Sequence, residues 1–343
     1  MNFKAFLNTR TLTCRTLPIV ILYVTEGCNL KCITCSYRQS LPNELSIQEI
    51  EAISQSLKDF GLRHIVYSGG EPLIRRDFPE ICEIFARIGV KQTLLTNGLL
   101  LEKRYEEIAN YFSEIIISLD GARAETHNRI RGVESFDRIL EGIGKVFHLP
   151  DKPELAIRTV LQKENYREVV AMVELAKKLG VDRITFLAAD VLSGGFGRDT
   201  RGQVVPDSRI LLDKEEAAEF SEIMNRLISE HHADIRSGFI GQSEDQLRHI
   251  VHYFEALNGM APFPRNNCNA PMVSAVITST GEVQPCFFLP TFGNLRGGAI
   301  DKLMNTPAAV ATRRDVRDYT LERCQQCVCT LSVDPVIALL DKF

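Results

Sequence analysis

The sequence lacks an apolar run long enough to cross a membrane. The run near its start, LPIVILYV at residues 17–24, falls far short of the roughly 20 residues that a helical span needs, and no signal-peptide cleavage pattern surrounds it. A strong excess of one charge is also absent, since 40 Lys and Arg residues stand against 44 Asp and Glu, for a net charge of -4. These absences argue against a membrane partner and against a general nucleic-acid partner. We therefore expect a cytoplasmic protein.

Low-complexity tracts and proline-rich linkers are absent as well, and no internal repeat stands out. Of the 343 residues, 45% are apolar and 24% are charged, which is ordinary for a globular protein with a sizeable core. At about 100 to 200 residues per domain, this length allows roughly two domains, or one large barrel with an appendage.

Between about residues 18 and 190, β-branched apolar runs alternate with amphipathic stretches of helical spacing, such as residues 47–60. Six strands that are each followed by a helix predict a parallel sheet with right-handed crossovers. The pattern fits an open doubly wound sheet or an incomplete barrel, and both place functional loops at the carboxyl ends of the strands. The predicted strands are residues 18–24, 64–68, 92–96, 114–120, 155–161 and 183–187.

The later part of the chain has a different pattern. A glycine-rich and charged loop at 193–208 precedes two helical patterns, 214–229 and 243–257. Runs at 273–279 and 283–288 flank Thr280-Gly281, which predicts a hairpin. We divide the chain into an N-terminal extension (1–17), an α/β unit (18–235), and a helical linker with a C-terminal domain (236–343). The apolar tail after Cys329 is expected to dock on that domain.

Ten cysteines are the unusual feature of the composition, and eight of them lie in one early and one late zone. Because disulfides are disfavoured in a reducing cytosol, clustered cysteines there indicate metal ligands or catalytic groups. Cys14 and Cys82 have no partner at ligand spacing and are expected to be buried packing residues.

The early zone is Cys28, Cys32 and Cys35, in the pattern C-x3-C-x2-C directly after the first predicted strand. Three thiolates on one short loop can hold a cubic iron–sulfur cluster and leave one iron free for an external ligand. The alternatives are a zinc site, which normally needs four protein ligands and here has no fourth Cys or His nearby, and unligated buried thiols.

This cysteine pattern, together with Gly69-Gly70-Glu71-Pro72 after the second strand, resembles the radical S-adenosylmethionine (SAM) enzymes over roughly residues 18–190. The resemblance implies a partial (β/α)6, TIM-like barrel and a [4Fe-4S] cluster whose open iron binds S-adenosylmethionine. It also implies reductive cleavage to a 5′-deoxyadenosyl radical, which abstracts a hydrogen atom from substrate. The electron would come from a reductant such as flavodoxin or ferredoxin.

Several polar residues at strand ends are candidates for S-adenosylmethionine binding under this resemblance. The glycines let backbone approach a ligand, and a basic residue within the fifth strand would meet the cofactor carboxylate. Ordinary turns at the Gly-Gly, Asn-Gly and Asp-Gly sites, and an intrachain ion pair for the arginine, remain alternatives. The candidates are Gly69, Gly70, Glu71, Thr96, Asn97, Ser118, Asp120 and Arg158.

Two further stretches bear on the resemblance. Thr34 stands where many relatives have an aromatic residue near adenine, and Tyr37 could partly take its place. Residues 118–137 resemble a subgroup that carries extra iron–sulfur clusters in its C-terminal part. In this stretch His127 and Arg131 would share a helix face, as structural or cofactor-supporting residues or as part of a solvated surface.

The late zone has the pattern C-x12-G-x4-C from Cys268 to Cys286, followed by Cys324 and Cys327. It resembles the twitch domain, a shortened relative of the SPASM domain, which implies one auxiliary [4Fe-4S] cluster with four cysteine ligands. A structural zinc ion held by four thiolates is the alternative. Cys329 could replace Cys327 as a ligand or be a nearby thiol, and we favour Cys327 because its spacing matches the family pattern.

An auxiliary cluster without an open iron would transfer electrons, which fits an oxidation in which a base removes a proton. Asp190, at the end of the sixth strand, is the candidate base, with a helix cap or an ion pair as alternatives. The loop at 193–202 could cover the substrate opening.

The substrate would be a small metabolite or a peptide. A separately presented peptide is the alternative, because 17 residues before the first strand leave no room for a leader-binding module. A non-catalytic zinc-binding protein is the second class of hypothesis.

Overall fold

The computed structural model describes residues 3–198, 209–329 and 331. Its strands form one nine-stranded sheet in the order β6-β5-β4-β3-β2-β1-β7-β8-β9. The strands are β1 (Ile19–Thr25), β2 (His64–Gly69), β3 (Lys91–Thr96), β4 (Glu114–Ser118), β5 (Glu154–Leu161), β6 (Arg183–Ala188), β7 (Ser274–Ile277), β8 (Glu282–Gln284) and β9 (Gly293–Asn294).

The first six strands confirm the predicted parallel sheet. Each pairs in parallel with its neighbour in chain order, and helices connect them, as in a partial (β/α)6 barrel. The sheet is open in the described part of the chain, because β6 and β9 are its edges. The barrel is therefore incomplete, and all six strands point their carboxyl ends toward one face.

The helices lie before, between and after these strands. They are α1 (Phe3–Thr11), α2 (Ile47–Asp59), α3 (Phe78–Arg87), α4 (Leu101–Ile108), α5 (Ala124–Arg131), α6 (Phe136–Phe147), α7 (Val169–Leu179), α8 (Lys214–Glu230), α9 (His232–Ser237), α10 (Glu244–Leu257), α11 (Ala270–Val273), α12 (Ile300–Leu303), α13 (Pro307–Asp318) and α14 (Glu322–Gln325).

Local sequence explains where these helices begin and what they bury. Helix α2 starts at a capping box in which Ser46 and Glu49 each bind the other's backbone N–H, and it buries Ile50 and Leu57. Helices α8 and α10 start in the same way, at Asp213 and Ser243. Their apolar faces join one continuous core with the sheet, so the helices predicted at 214–229 and 243–257 are confirmed.

The late hairpin is also confirmed, but it does not stand apart from the barrel sheet. Strand β7 pairs in parallel with β1, and β8 returns antiparallel to β7. The second strand is shorter than predicted, because Pro285 has no N–H to continue the ladder. This pairing places the late cysteines close to β1 and β7.

The N-terminal segment packs against the C-terminal region. Asn8 on α1 donates from Nδ2 to the carbonyl oxygens of Thr16 (2.7 Å) and Met272 (2.9 Å). Asn305 binds both backbone groups of Cys14. Cys14 and Cys82 are buried in the core, as expected for packing residues, and burial raises the pKa of the Cys14 thiol to about 11.

None of the described helices is both long and apolar enough to cross a membrane. Part of the proposed cover loop (residues 199–202) and almost all of the apolar tail after Cys329 lie outside the described residues.

Candidate active site

The three early cysteines lie on the loop after β1, at the carboxyl edge of the sheet. Arg38 closes this loop, because its Nη2 donates to the carbonyl oxygens of Cys32 (3.1 Å) and Cys35 (2.7 Å). Burial raises the pKa of the Cys28 thiol to about 11, and the neighbouring sulfurs of Cys32 and Cys35 add to this rise. The structure therefore places the three thiols on one loop, and their assignment as cluster ligands stays a prediction.

Each of these sulfurs has a hydrogen-bonding neighbour. Cys28 Sγ faces the backbone N–H of Leu30 at 3.5 Å and Nδ2 of Asn97 at 3.8 Å. Cys32 Sγ lies 3.7 Å from Nη1 of Arg131. Cys35 Sγ lies 3.6 Å from the carbonyl oxygen of Phe196. Donors directed at sulfur stabilise thiolate ligands, so the surroundings of Cys28 and Cys32 fit an iron–sulfur cluster, whereas the Cys35 thiol is itself the donor to Phe196.

The described residues include no group of three or more Cys, His, Asp or Glu side chains placed to hold a single metal ion. The cysteine ligands of a four-iron cluster bind separate iron atoms and need not converge on one point.

The loop after β2 lies directly on the loop after β1. A methyl group on Gly70 would lie 2.0 Å from the carbonyl oxygen of Gly27, and Gly69 has φ +118° with a methyl position 2.3 Å from the carbonyl oxygen of Thr25. Gly70 N and Glu71 N donate to those two oxygens, both at 2.8 Å. Any larger residue would separate the loops, which explains the Gly-Gly pair.

Glu71 is buried and its carboxylate is engaged within the chain. It accepts hydrogen bonds from Leu73 N (3.0 Å), Thr96 Oγ1 (2.7 Å) and Asn97 N (2.7 Å). Burial raises the pKa of Glu71, and these donors oppose the rise. Glu71 and Thr96 thus hold the loops after β2 and β3 together, while the Asn97 amide extends toward Asn29 and Cys28.

Asp120 is also engaged within the chain. Its Oδ2 forms a 2.7 Å ion pair with Nη2 of Arg131, and its Oδ1 accepts from Val160 N at 2.8 Å. His127 Nδ1 accepts from the backbone N–H of Asp120. His127 and Arg131 lie on α5 as predicted, and they are buried rather than solvated. The sequence suggested each residue separately but gave no signal for the contact between Arg131 and Cys32.

Ser118 and Arg158 are neighbours across β4 and β5. Arg158 has no ion pair with a carboxylate in the described part of the chain, and its buried Nε has no hydrogen-bond partner. Burial lowers the pKa of Arg158, while Cys329 and Glu114 oppose this. The intrachain ion pair considered for Arg158 is thus not found among the described residues, and its guanidinium is available to an anionic ligand.

Asp190 lies between two arginines at the end of β6. Its Oδ1 pairs with Nη2 of Arg323 at 2.7 Å, and its Oδ2 pairs with Arg198 and accepts from Ser193 Oγ. Asp190 therefore forms ion pairs within the chain, which was the alternative to its role as a base. Because Arg323 precedes Cys324, this ion pair connects the barrel to the late cysteine zone.

The late cysteines line one cavity beside β1 and β7. Five thiols face it, which brings together residues that are up to 61 positions apart in the sequence: Cys268, Cys286, Cys324, Cys327 and Cys329. Burial raises the pKa of Cys324 and of Cys329 to about 11. Cys327 Sγ donates to the carbonyl oxygen of Cys329 at 2.9 Å. The cavity provides enough thiols for the four ligands of an auxiliary cluster, with one to spare.

An aromatic cluster lies beside both cysteine groups. Tyr23 on β1 packs edge-on against Tyr37 (6.0 Å between ring centroids) and is stacked with Phe287 (6.2 Å). Phe196 also stacks with Phe287, at 6.1 Å between ring centroids. Burial raises the pKa of Tyr23, with smaller contributions from Cys35 of the early group and Cys329 of the late group. Tyr23 therefore contacts a ring near each group, because Tyr37 follows Cys35 by two residues and Phe287 follows Cys286 directly.

Comparison with known proteins identifies two matching regions. Residues 22–176 match the Radical SAM superfamily, and residues 268–328 match the SPASM iron–sulfur cluster-binding domain. The second match includes four of the late cysteines but ends before Cys329.

Two relatives come from Methanosarcina barkeri. The AdoMet-dependent heme synthase is 31% identical over 283 residues, which is 80% of this chain and 78% of that protein. The Fe-coproporphyrin III synthase is 34% identical over 178 residues, or 49% of this chain and only 43% of the relative. A probable GTP 3′,8-cyclase of Saccharolobus islandicus is 31% identical over 56% of its length. The chain thus spans about half the length of the last two.

Solved structures share the fold at low sequence identity. Streptococcus suis SuiB bound to S-adenosylmethionine has a TM-score of 0.62 at 17% identity, covering 96% of this chain and 74% of SuiB. The enzyme anSMEcpe with bound AdoMet and the Cp18Cys peptide has a TM-score of 0.63 at 19% identity, covering 90% and 86%.

The partial barrel, the thiol loop at its carboxyl edge and the late cysteine cavity agree with these matches. The cofactors are accordingly S-adenosylmethionine, a [4Fe-4S] cluster at the barrel and an auxiliary [4Fe-4S] cluster. The chain belongs to the radical SAM superfamily, as a catalytic radical SAM enzyme with a C-terminal SPASM iron–sulfur cluster-binding domain.

Proposed function

We propose that this enzyme oxidises a small metabolite or a peptide by hydrogen-atom abstraction followed by loss of a proton and an electron. When both are bound, the reduced [4Fe-4S] cluster and S-adenosylmethionine would supply the 5′-deoxyadenosyl radical. The auxiliary cluster would accept the remaining electron. The observation that carries the proposal is the pair of ring contacts made by Tyr23, with Tyr37 two residues after Cys35 and with Phe287 next to Cys286. These contacts bring residues beside the two cysteine groups together, so a substrate at this place could meet both clusters.

The ligand sets follow from the two groups of thiols. We assign Cys28, Cys32 and Cys35 to the first cluster. The auxiliary set is Cys268, Cys286, Cys324 and Cys327, which agrees with the extent of the SPASM match. Cys329 is the remaining thiol, and the charge of Arg158 on β5 opposes the rise that burial causes in its pKa.

The eight candidates for cofactor binding divide into three roles. Gly69 and Gly70 allow the loops to pack, and Asn97, Ser118 and Arg158 have polar groups that can contact S-adenosylmethionine. Arg158 would bind its carboxylate, because a guanidinium favours that partner and has no carboxylate partner in the described part of the chain. Glu71, Thr96 and Asp120 would act by positioning, because their side chains already bind one another or the chain.

Asp190 is proposed as the proton acceptor, although both of its oxygens are engaged by arginines. To accept a proton it must release one of these contacts when substrate binds. Asp190→Asn tests this role. The variant should still cleave S-adenosylmethionine but form little oxidised product, and unchanged product formation would assign the base to another residue.

The relatives suggest which classes of substrate to test first. A tetrapyrrole related to haem is the first small molecule to test, because the relative matched over 78% of its length is a heme synthase. A peptide presented by a separate precursor is the second candidate, because SuiB bound to its precursor peptide SuiA shares the fold. Membership in a catalytic family removes the support for a non-catalytic zinc-binding protein.

The decisive experiment uses the full chain, reconstituted anaerobically with iron and sulfide. After reduction by dithionite, flavodoxin or ferredoxin, we expect release of 5′-deoxyadenosine from S-adenosylmethionine, accelerated by the correct substrate. Replacing Cys28, Cys32 and Cys35 together with alanine is the matched control and should abolish release. Iron-loaded wild-type protein that releases none would refute the proposal.

A further inference from the structure

Arg131 and Asp120 form a buried ion pair beside the early cysteine loop. The side chains are 11% and 2% exposed, and Nη2 of Arg131 lies 2.7 Å from Oδ2 of Asp120. The other terminal nitrogen, Nη1, lies 3.7 Å from Cys32 Sγ. Nε is buried without a hydrogen-bond partner. One guanidinium therefore contacts both a carboxylate and a sulfur.

The backbone around Arg131 fixes this contact. Lys31 N donates to the carbonyl oxygen of Arg131 at 3.0 Å, and Ile33 N donates to that of Ile130 at 3.1 Å. Gly132 ends α5 in the left-handed conformation, where a methyl group would lie 2.4 Å from the carbonyl oxygen of Lys31. These contacts join the end of α5 to the cysteine loop on either side of Cys32.

Asp120 is held in turn by its own neighbours. Its Oδ1 accepts from Val160 N, and its backbone N–H is bound by His127. These hydrogen bonds fix the position of Asp120, so its carboxylate could move with Arg131 only if they were broken. Asp120 therefore restricts the guanidinium to the orientation in which Nη1 faces Cys32.

We propose that Arg131 is a positioning residue that raises the reduction potential of the barrel cluster through its hydrogen bond to Cys32 Sγ, and that Asp120 orients it. The inference rests on the proposed function, because it takes Cys32 as a cluster ligand. Reduction adds negative charge near the sulfur, and a cationic donor stabilises that charge more strongly in a buried site. Removing the donor should therefore make the cluster harder to reduce.

The test compares Arg131→Gln and Arg131→Lys with wild type, all reconstituted anaerobically. The midpoint potential of the barrel cluster is measured by redox titration with electron paramagnetic resonance, without S-adenosylmethionine. We use a background in which Cys268, Cys286, Cys324 and Cys327 are alanine, so that one cluster is observed. Arg129→Gln is the matched control, because Arg129 lies on the same helix with its side chain 59% exposed.

We expect a more negative potential in Arg131→Gln, a smaller shift in the same direction in Arg131→Lys, and none in Arg129→Gln. Asp120→Glu, which keeps the negative charge but displaces the carboxylate, should shift the potential in the same direction, because it disturbs the orientation of the guanidinium. If Arg131→Gln fails to bind iron, the midpoint potential of Arg131→Lys is the measurement that tests the inference. Wild-type potential in every loaded variant at Arg131 would overturn the inference. Failure of the unsubstituted enzyme to bind the cluster or cleave S-adenosylmethionine would instead count against the proposed function.

Discussion

Glu71 accepts a 2.7 Å hydrogen bond from Oγ1 of Thr96, and this contact joins the loops that follow β2 and β3. The same carboxylate accepts from the backbone of Leu73 and Asn97. The residue that would be the most obvious polar ligand in the second loop is therefore part of the framework. It holds Asn97 in place beside Cys28.

Replacing Glu71 with Gln should destabilise this framework. The amide keeps one acceptor but turns an NH2 group toward donors, so a buried N–H loses its partner, at a cost of about 1–3 kcal/mol in the free energy of unfolding. Anaerobic thermal unfolding measures the change. Glu230→Gln, at an exposed position on α8, should be neutral. Equal stability of the two variants would contradict the role given to Glu71.

A methyl group at Gly70 should separate the first two loops. Gly70→Ala would place its Cβ 2.0 Å from the carbonyl oxygen of Gly27, so we expect lower thermal stability and a lower iron content. Gly144→Ala is the control, because nothing lies within 4 Å of its Cβ position and the residue is helical. That change should be neutral or stabilising by about 0.5–1 kcal/mol. Normal iron content in Gly70→Ala would show that the loops can separate without effect.

Arg158→Gln should weaken binding of S-adenosylmethionine. Losing a hydrogen bond to a charged group costs about 1.5–3 kcal/mol, which corresponds to roughly a 10-fold to 100-fold rise in Kd. Anaerobic equilibrium binding to iron-loaded protein measures it. Arg87→Gln, an exposed arginine that pairs with Glu51 on the outer surface, should bind as wild type does. Unchanged affinity at normal iron content would place the cofactor carboxylate elsewhere.

Cys327→Ser and Cys329→Ser should differ in iron content. If Cys327 is the fourth auxiliary ligand, its replacement should lower the iron bound by up to about four atoms per chain, the content of one cluster. Cys329→Ser should retain wild-type iron content. The reverse result would make Cys329 the ligand and Cys327 the spare thiol. Iron analysis and Mössbauer spectroscopy distinguish the two outcomes.

His64 should make stability depend on pH. Burial lowers its pKa to about 4, and its Nε2 bonds Thr93 Oγ1 at 2.9 Å. The unfolded chain binds this proton near pH 6.5, so the stabilisation is complete above that pH and is lost as the pH falls toward 4. We expect His64 to contribute about 1 kcal/mol to the loss of stability between pH 7 and 5.5, so that the loss is smaller by this amount in His64→Gln. His127 contributes separately, because burial lowers its pKa to about 3.

Urea unfolding of the anaerobic protein at both pH values measures this difference. His252→Gln, at a side chain that is 56% exposed, should keep the wild-type pH dependence. If His64→Gln kept it too, other groups would be responsible.

Much of the fold could be predicted from local sequence. The six predicted strands match β1 to β6 within about two residues, because apolar β-branched runs bounded by polar turns give a strong local signal. The predicted hairpin was found as well. Its pairing with β1 was not predicted, because strand neighbours that are about 250 residues apart leave no local pattern.

The sequence by itself determined the alternation of strands and helices, the two cysteine zones and the family to which they point. Spacing along the chain is enough for these, because periodicity and ligand spacing are local properties. Only the tertiary structure decided which polar residues remain available. It paired Asp120 with Arg131 and Asp190 with Arg198 and Arg323, and it left Arg158 without a carboxylate in the described part of the chain. Such pairings depend on contacts between distant strand ends. A buried charge is costly without a partner, and only the fold determines which opposite charge lies close to it.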